Sequence, residues 1–189
     1  MRGSRGSVDD MGEVQVRPLR RVEYDVLVDQ GMFGEDEPVQ LLDGELVVLS
    51  PQKAPHAGIV EALTERLVPA LVGAARVRVQ LPLVAGEYSE PEPDIAIVPA
   101  DEPRDRHPQR ALLVIEVAHE TLRLDLVRKA RIYAAAGVPV YWVIDVHNDL
   151  VHVHTEPTPD GYAAVTQHGP DEQLDACGVP LTLRALREP

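Results

Sequence analysis

The chain has 189 residues, with 31 acidic and 18 basic side chains giving a formal net charge of −13, so it is long enough for one domain with a substantial core and short for two. Hydrophobic residues make up 44% but aromatic ones only 4%, which calls for a core of Val, Leu, Ile and Ala, ordinary for an α/β protein. A single cysteine, Cys177, excludes an internal disulfide and any zinc site built on several cysteines, and the absence of an apolar run of about 18 residues excludes a membrane-spanning helix.

Residues 1–19 begin MRGSRGSVDD and carry basic residues without the apolar stretch of a secretory signal. They read as a flexible arm ahead of one domain over 20–189, and the expected location is the cytoplasm. Residues 20–31, RRVEYDVLVDQG, place Val22, Val26 and Leu27 near helical spacing and stop at Gly31. GEDEP follows as a loop. QLLDGELVVLS, 40–50, predicts two short strands around the Asp43-Gly44 turn, ended by Ser50-Pro51. A helix over 55–73 sets Ile59, Val60, Leu63, Leu67 and Leu71 on one face, with Pro55 in its first turn and Pro69 bending or shortening it.

Three strand-like runs come next, at 77–85, 93–99 and 111–118. Leu122 to Ala136 is helical, with Gly137 at the C-cap. VPVYWVIDV and LVHVHTE then make a hairpin across His147-Asn148-Asp149, and PLTLRAL near the end is a strand or a short helix. Three strands, a helical crossover and a further strand imply a mixed β-sheet flanked by helices.

The run LLVIEVA, 112–118, suits burial, yet it contains Glu116. Asp94 opens the preceding strand directly after Pro93, so if the two strands are neighbours both carboxylates meet at one end of the sheet. Two like charges about 4 Å apart repel by about 4 kcal/mol at an effective dielectric of about 20, and burial adds a desolvation cost. A hard divalent cation removes that penalty, and Mg²⁺ suits a sparse acidic pair supplemented by water and phosphate oxygens. The competing reading has Glu116 facing solvent or paired with an arginine, and Pro93-Asp94 as a strand-entry turn.

Pro93-Asp94 followed by Glu116-Val117-Ala118 resembles the PD-(D/E)XK nuclease motif in all but its lysine, since position 118 is alanine. The wider pattern is similar to one branch of that superfamily, the Uma-two family of restriction-like endonucleases. The matching pieces are LLDGEL at 41–46, the Ser-Pro before His56 and its helix, PDIAIV at 93–98, LLVIEV at 112–117, DLVRKARIYAAAGVPVYWVID at 125–145 and VPLTL near the end. The resemblance implies an α/β restriction-endonuclease-like core and a metal-dependent endonuclease that hydrolyses phosphodiester bonds in nucleic acid, DNA being the expected partner. It implies Mg²⁺ or Mn²⁺ held by Asp94, Glu116 and the Val117 carbonyl. It moves the lysine to the following helix, at Lys129, and gives Glu45 an auxiliary role in metal or water binding.

Independently of the resemblance, Asp125, Lys129 and Tyr133 recur at four-residue intervals as one helical stripe. Only Lys53 and Lys129 are lysines among the 18 basic residues, and an ammonium, unlike guanidinium, has a pKa that can be lowered to orient or deprotonate a water. The plain alternative is an exposed Asp125–Lys129 helix pair. The chain departs from the family pattern at AHET, 118–121, where Ser-Pro-Ser is common, and at Gln40, where a Glu is common.

Among the remaining candidates, His56 points inward with Ile59 and Leu63 and reads as a buried, hydrogen-bonded histidine, with an active-site neighbour as the other reading. His152 and His154 read as a solvated strand face, because no third zinc ligand is in view. Tyr133, Tyr141 and Trp142 read as packing. A homodimer is expected from the pairing habit of nucleases that cut both strands, with the 138–146 hairpin as its edge. The acidic balance favours a rival reading, a non-catalytic interaction domain that keeps the nuclease fold.

Overall fold

The computed structural model describes residues 16–34, 37–49 and 53–188. Most of the N-terminal arm, Glu35 and Asp36 of the GEDEP loop and the Ser50-Pro51 stop lie outside the described residues.

The centre is a six-stranded mixed sheet in the order β3-β4-β5-β6-β7-β8. Its strands are β3 (Ala75–Val79), β4 (Ile95–Pro99), β5 (Leu113–Ala118), β6 (Val140–Asp145), β7 (Leu150–Thr158) and β8 (Gly161–His168). All neighbours pair antiparallel except β5 and β6. A helical crossover joins that parallel pair, as a parallel connection requires.

Alternation along the strands sorts the core into two layers. Ile95, Ile97, Leu113, Ile115, Trp142 and Ile144 face α2 (Ala54–Ala70), with α4 (Leu183–Arg187) on the same side. Ala96, Val98, Val114, Tyr141 and Val143 face the crossover helix, where Ala130 and Tyr133 close a second cluster. Glu116 has the parity of Val114 and Ala118, so it is delivered into the second layer. The strand carries a charge because that charge faces a helix with a cation on it.

The crossover begins as a π-helical segment, Leu124–Lys129, which runs directly into α3 (Ala130–Ala135). The Asp-Gly turn forms as the sequence dictates. β1 (Val39–Leu42) and β2 (Glu45–Val48) pair across Asp43 and Gly44, at φ 49° and 79°, the left-handed pair of a type I′ turn. Gly44 is needed there twice over, because a Cβ would stand 2.3 Å from the Pro18 side chain. This hairpin is buttressed by α1 (Arg21–Asp29), whose buried residue is Tyr24, bonded through its hydroxyl to the Val39 carbonyl at 2.9 Å. Val22 and Val26, whose helical spacing pointed to this helix, are exposed; Tyr24, with the Phe33 ring 5.8 Å away, fills the small hydrophobic site instead.

Other elements depart from expectation. β3 stops at Val79, where Gln80 takes φ 50°, so the strand expected to reach residue 85 is cut short by a turn. α2 ends one residue after Pro69, as the missing N–H of proline favours. β8 and β9 (Leu174–Ala176) were not anticipated, while PLTLRAL, expected as a strand or a short helix, supplies the end of β10 (Val179–Leu181), which pairs with β9, and most of α4. β6 lies between β5 and β7, so the 138–146 segment offers no free edge for dimerisation; β3 and β8 are the sheet edges. No described helix is long and apolar enough to cross a membrane.

Candidate active site

β4 and β5 run antiparallel with Ile95 opposite Ile115, and one more step along that register puts Asp94 opposite Glu116. The structure therefore brings the two acids together at one end of the sheet. Asp94 is buried and held on both oxygens. Its Oδ2 accepts from the Val117 N–H at 2.8 Å and lies 3.0 Å from His56 Nε2, while Oδ1 accepts from the Gln80 amide at 3.3 Å. His56 is thus both a buried histidine and a neighbour of the site.

Glu116 is 4% exposed. Lys129 Nζ donates to its Oε1 at 2.9 Å and the Tyr133 hydroxyl donates to the same oxygen at 2.7 Å. Both bonds fall on Oε1, so Oε2 is left to other partners. Lys129, 3% exposed, also sits 3.7 Å from Asp125 Oδ1, and Asp125 Oδ2 accepts from the Thr121 hydroxyl at 2.5 Å. The helical stripe Asp125, Lys129, Tyr133 is therefore buried over the sheet and is not an exposed surface pair. Tyr133, expected only to pack, is a hydrogen-bond donor to the acid.

The electrostatics follow from the count of charges. Burial raises the Glu116 carboxyl to about 8, against the lowering effect of Lys129 and with further raising by Asp125 and Asp94. Burial likewise raises Asp125. For Lys129 burial acts downward, but Glu116, Asp125 and Asp94 outweigh it and leave its pKa raised. The ammonium therefore keeps its proton near neutrality, which removes the expectation that it deprotonates a water.

These groups open into a cavity of about 450 Å³ lined by Gln40, Lys53, His56, Gln80, Glu92 and His119 as well as Asp94, Glu116, Val117 and Lys129. Lys53 pairs with Glu120 at its rim. Gln40, the departure from the family pattern, faces this cavity, and its Oε1 has no hydrogen-bond partner. Glu45 does not join the group. Its side chain is 71% exposed and pairs with Arg128 at 2.8 Å, in a separate depression with Asp43 and Arg131.

Three buried carboxylates, Asp94, Glu116 and Asp125, face one buried ammonium. Asp125 Oδ1 lacks a hydrogen bond. Buried charges are normally paired or metal-bound, so the excess of hard oxygen donors fits a divalent cation. Among the described residues no cluster of three His, Cys, Asp or Glu side chains is arranged around one metal position. Among the described residues, then, the protein's own oxygens do not close a metal cage by themselves.

His152 and His154 are buried rather than solvated. Tyr141 and Tyr162 pack edge-on against His154 at 5.3 and 5.6 Å, and burial lowers His154 to about 4. Sequence reading also missed Gln80, His119 and Thr121. Gln80 is unmarked locally and AHET, 118–121, stands out only as a departure from the family pattern, since each residue reaches the site only through β3 pairing with β4 or the turn after β5.

A family model, Uma2, described as "Putative restriction endonuclease", matches residues 22–185. The crystal structure of a putative nuclease belonging to DUF820 from Anabaena variabilis is similar in fold, with a TM-score of 0.65 and 16% identity, covering 85% of this chain and 96% of that one. No curated protein matches the sequence.

Proposed function

Because the chain belongs to the Uma2 family and has a restriction-endonuclease-like α/β fold, we propose that it is a metal-dependent endonuclease that hydrolyses phosphodiester bonds, with DNA as its substrate. The observation that carries this reading is the pairing of Asp94 and Glu116 across two antiparallel strands, buried beside one ammonium at the base of a cavity.

Asp94, Glu116 and the Val117 carbonyl would hold Mg²⁺ or Mn²⁺. Such an ion, when bound, polarises a phosphate and lowers the pKa of a water. The chain's own residues prepare the place. Val117 N–H, His56 and Gln80 fix both oxygens of Asp94, so its carboxylate is oriented before any ligand arrives. Tyr133 and Lys129 grip one oxygen of Glu116 and leave the other for the ion. Lys129, kept protonated by its carboxylates, supplies positive charge near the oxygens on which negative charge develops during displacement at phosphorus. Burial strengthens that interaction by excluding water.

The net charge of −13 supports the second reading, an acidic interaction domain that cuts nothing. A plasmid-nicking assay at low salt with Mg²⁺ or Mn²⁺ separates the two. Wild type nicks the plasmid, while Asp94→Ala, Glu116→Ala and Lys129→Ala do not. Equal activity in all four preparations assigns the cleavage to a contaminant, and no activity in any of them leaves the interaction reading in possession. Calorimetric titration with Mn²⁺ gives the companion result, binding by wild type that Asp94→Ala abolishes.

A further inference from the structure

Arg78, on β3, is a partly buried arginine whose charge meets no acid: among the described residues no carboxylate lies within ion-pair distance of it. Its Nη2 donates to the Pro82 carbonyl at 3.1 Å, and its Nε is buried without a partner. Burial and the nearby Arg76 lower its pKa, the mark of a cation placed where its charge is uncompensated. A partly buried, unpaired charge is unfavourable unless a ligand completes it.

Arg78 lines a second cavity of about 690 Å³, with Arg104 and Arg106 at its mouth. These two are exposed and likewise have no carboxylate within ion-pair distance among the described residues. The cavity also contains five acids, Asp25, Asp29, Glu90, Glu92 and Asp105: Asp25 is bound to Arg21 at 2.7 Å, burial raises Glu90 to about 7 and also raises Glu92, and Asp29 and Asp105 are exposed to solvent at the surface. Glu92 lines both this cavity and the catalytic one, so the two adjoin. Arg78 also stands two residues before Gln80, whose amide touches Asp94. Along an extended chain that is about 7 Å, a short step from the catalytic acids.

We propose that this second cavity is the subsite that grips the backbone of the nucleic-acid strand next to the scissile bond, with Arg78 binding a flanking phosphate and Arg104 and Arg106 continuing the track. Guanidinium is suited to this, since its planar fork meets phosphate oxygens two at a time. The inference rests on the nuclease reading for its substrate, but it concerns binding and is tested apart from cleavage.

The test is fluorescence anisotropy of a short labelled single-stranded DNA against the full chain carrying Asp94→Asn, measured across a salt series. Adding Arg78→Ala weakens binding about tenfold or more and reduces the slope of log affinity against log salt by about 0.7, one phosphate contact on a single strand. Arg104→Ala and Arg106→Ala act in the same direction with smaller loss. Arg78→Lys, which keeps the charge, retains the slope and shows that the protein is folded. Unchanged affinity and slope in Arg78→Ala overturn the proposal, as does weaker binding with an unchanged slope. If arginine-dependent binding persists while wild type cuts no phosphodiester, the subsite stands and the hydrolytic reading falls.

Discussion

Arg128 and Lys129 are consecutive residues on one helix, yet they enter two opposite electrostatic worlds. Arg128 reaches out to Asp43 and Glu45 of the β1–β2 hairpin, in a cluster that Arg131 also joins and that solvent wets. Lys129 turns inward to Glu116 and Asp125, with all three side chains no more than 5% exposed. One step along the π-helical segment, a smaller rotation than the about 100° of an α-helix, separates the two. The outer cluster has ordinary pairs that water would otherwise solvate, and such pairs contribute roughly 0–1 kcal/mol. The inner one holds charges that have nowhere else to go. The contrast shows how the direction of a side chain, not its type, decides whether a charge is solvated or buried among other charges.

The largest break in this comparison comes from Lys129→Met. It leaves Glu116, Asp125 and Asp94 without their cation, and removing one partner of a buried pair costs about 3–5 kcal/mol. At about 2–4 °C per kcal/mol for a chain of this size, the melting temperature falls by about 10 °C, and the loss is insensitive to added salt because the site is shielded from counterions. Differential scanning fluorimetry at low and high salt reads both effects. A loss that disappears in high salt would show the inner cluster to be wet.

Tyr133→Phe sits in the middle. It removes one buried hydrogen bond to Glu116, worth about 0.5–3 kcal/mol, the upper half of that range applying where the acceptor is charged. Both stability and Mn²⁺ affinity decline, the second because Glu116 loses half of what fixes its orientation; urea denaturation and calorimetry measure them separately. Smallest of all is Glu45→Ala, which changes stability by about 0.5 kcal/mol or less and leaves plasmid nicking unchanged. A nicking rate that collapses in Glu45→Ala would return Glu45 to the catalytic group and erase the distinction between the clusters.

Much of this arrangement is legible in the sequence where a single element encodes it. β4, β5 and β6 are continuous apolar runs, the Asp-Gly turn announces its hairpin, and the four-residue spacing of Asp125, Lys129 and Tyr133 places them on one side of a helix. What depends on two elements meeting is not legible. Tyr133 reads as packing until the helix is laid over β5 and the phenol lands on Glu116. Gln80 and His56 reach Asp94 only because β3 and α2 converge at its strand. β8, GYAAVTQH, has only Val165 as a large aliphatic residue because it is a half-exposed sheet edge, so its pattern resembles a loop. Glu45 matches the family by position along the chain, but the hairpin points it at Arg128, and no local rule reveals the direction of an exposed side chain.

The π-helical segment Leu124–Lys129 bears on any attempt to transplant this centre. Each residue of an α-helix advances the chain by about 100°, and a π turn spends one residue more than an α turn before the next hydrogen bond closes. A designer who copied Asp125, Lys129 and Tyr133 onto an ideal helix would keep them on one side but spread them over an arc of about 80°, wider than the arc that the π turn gives. The wide turn is the part of the scaffold that must travel with the residues.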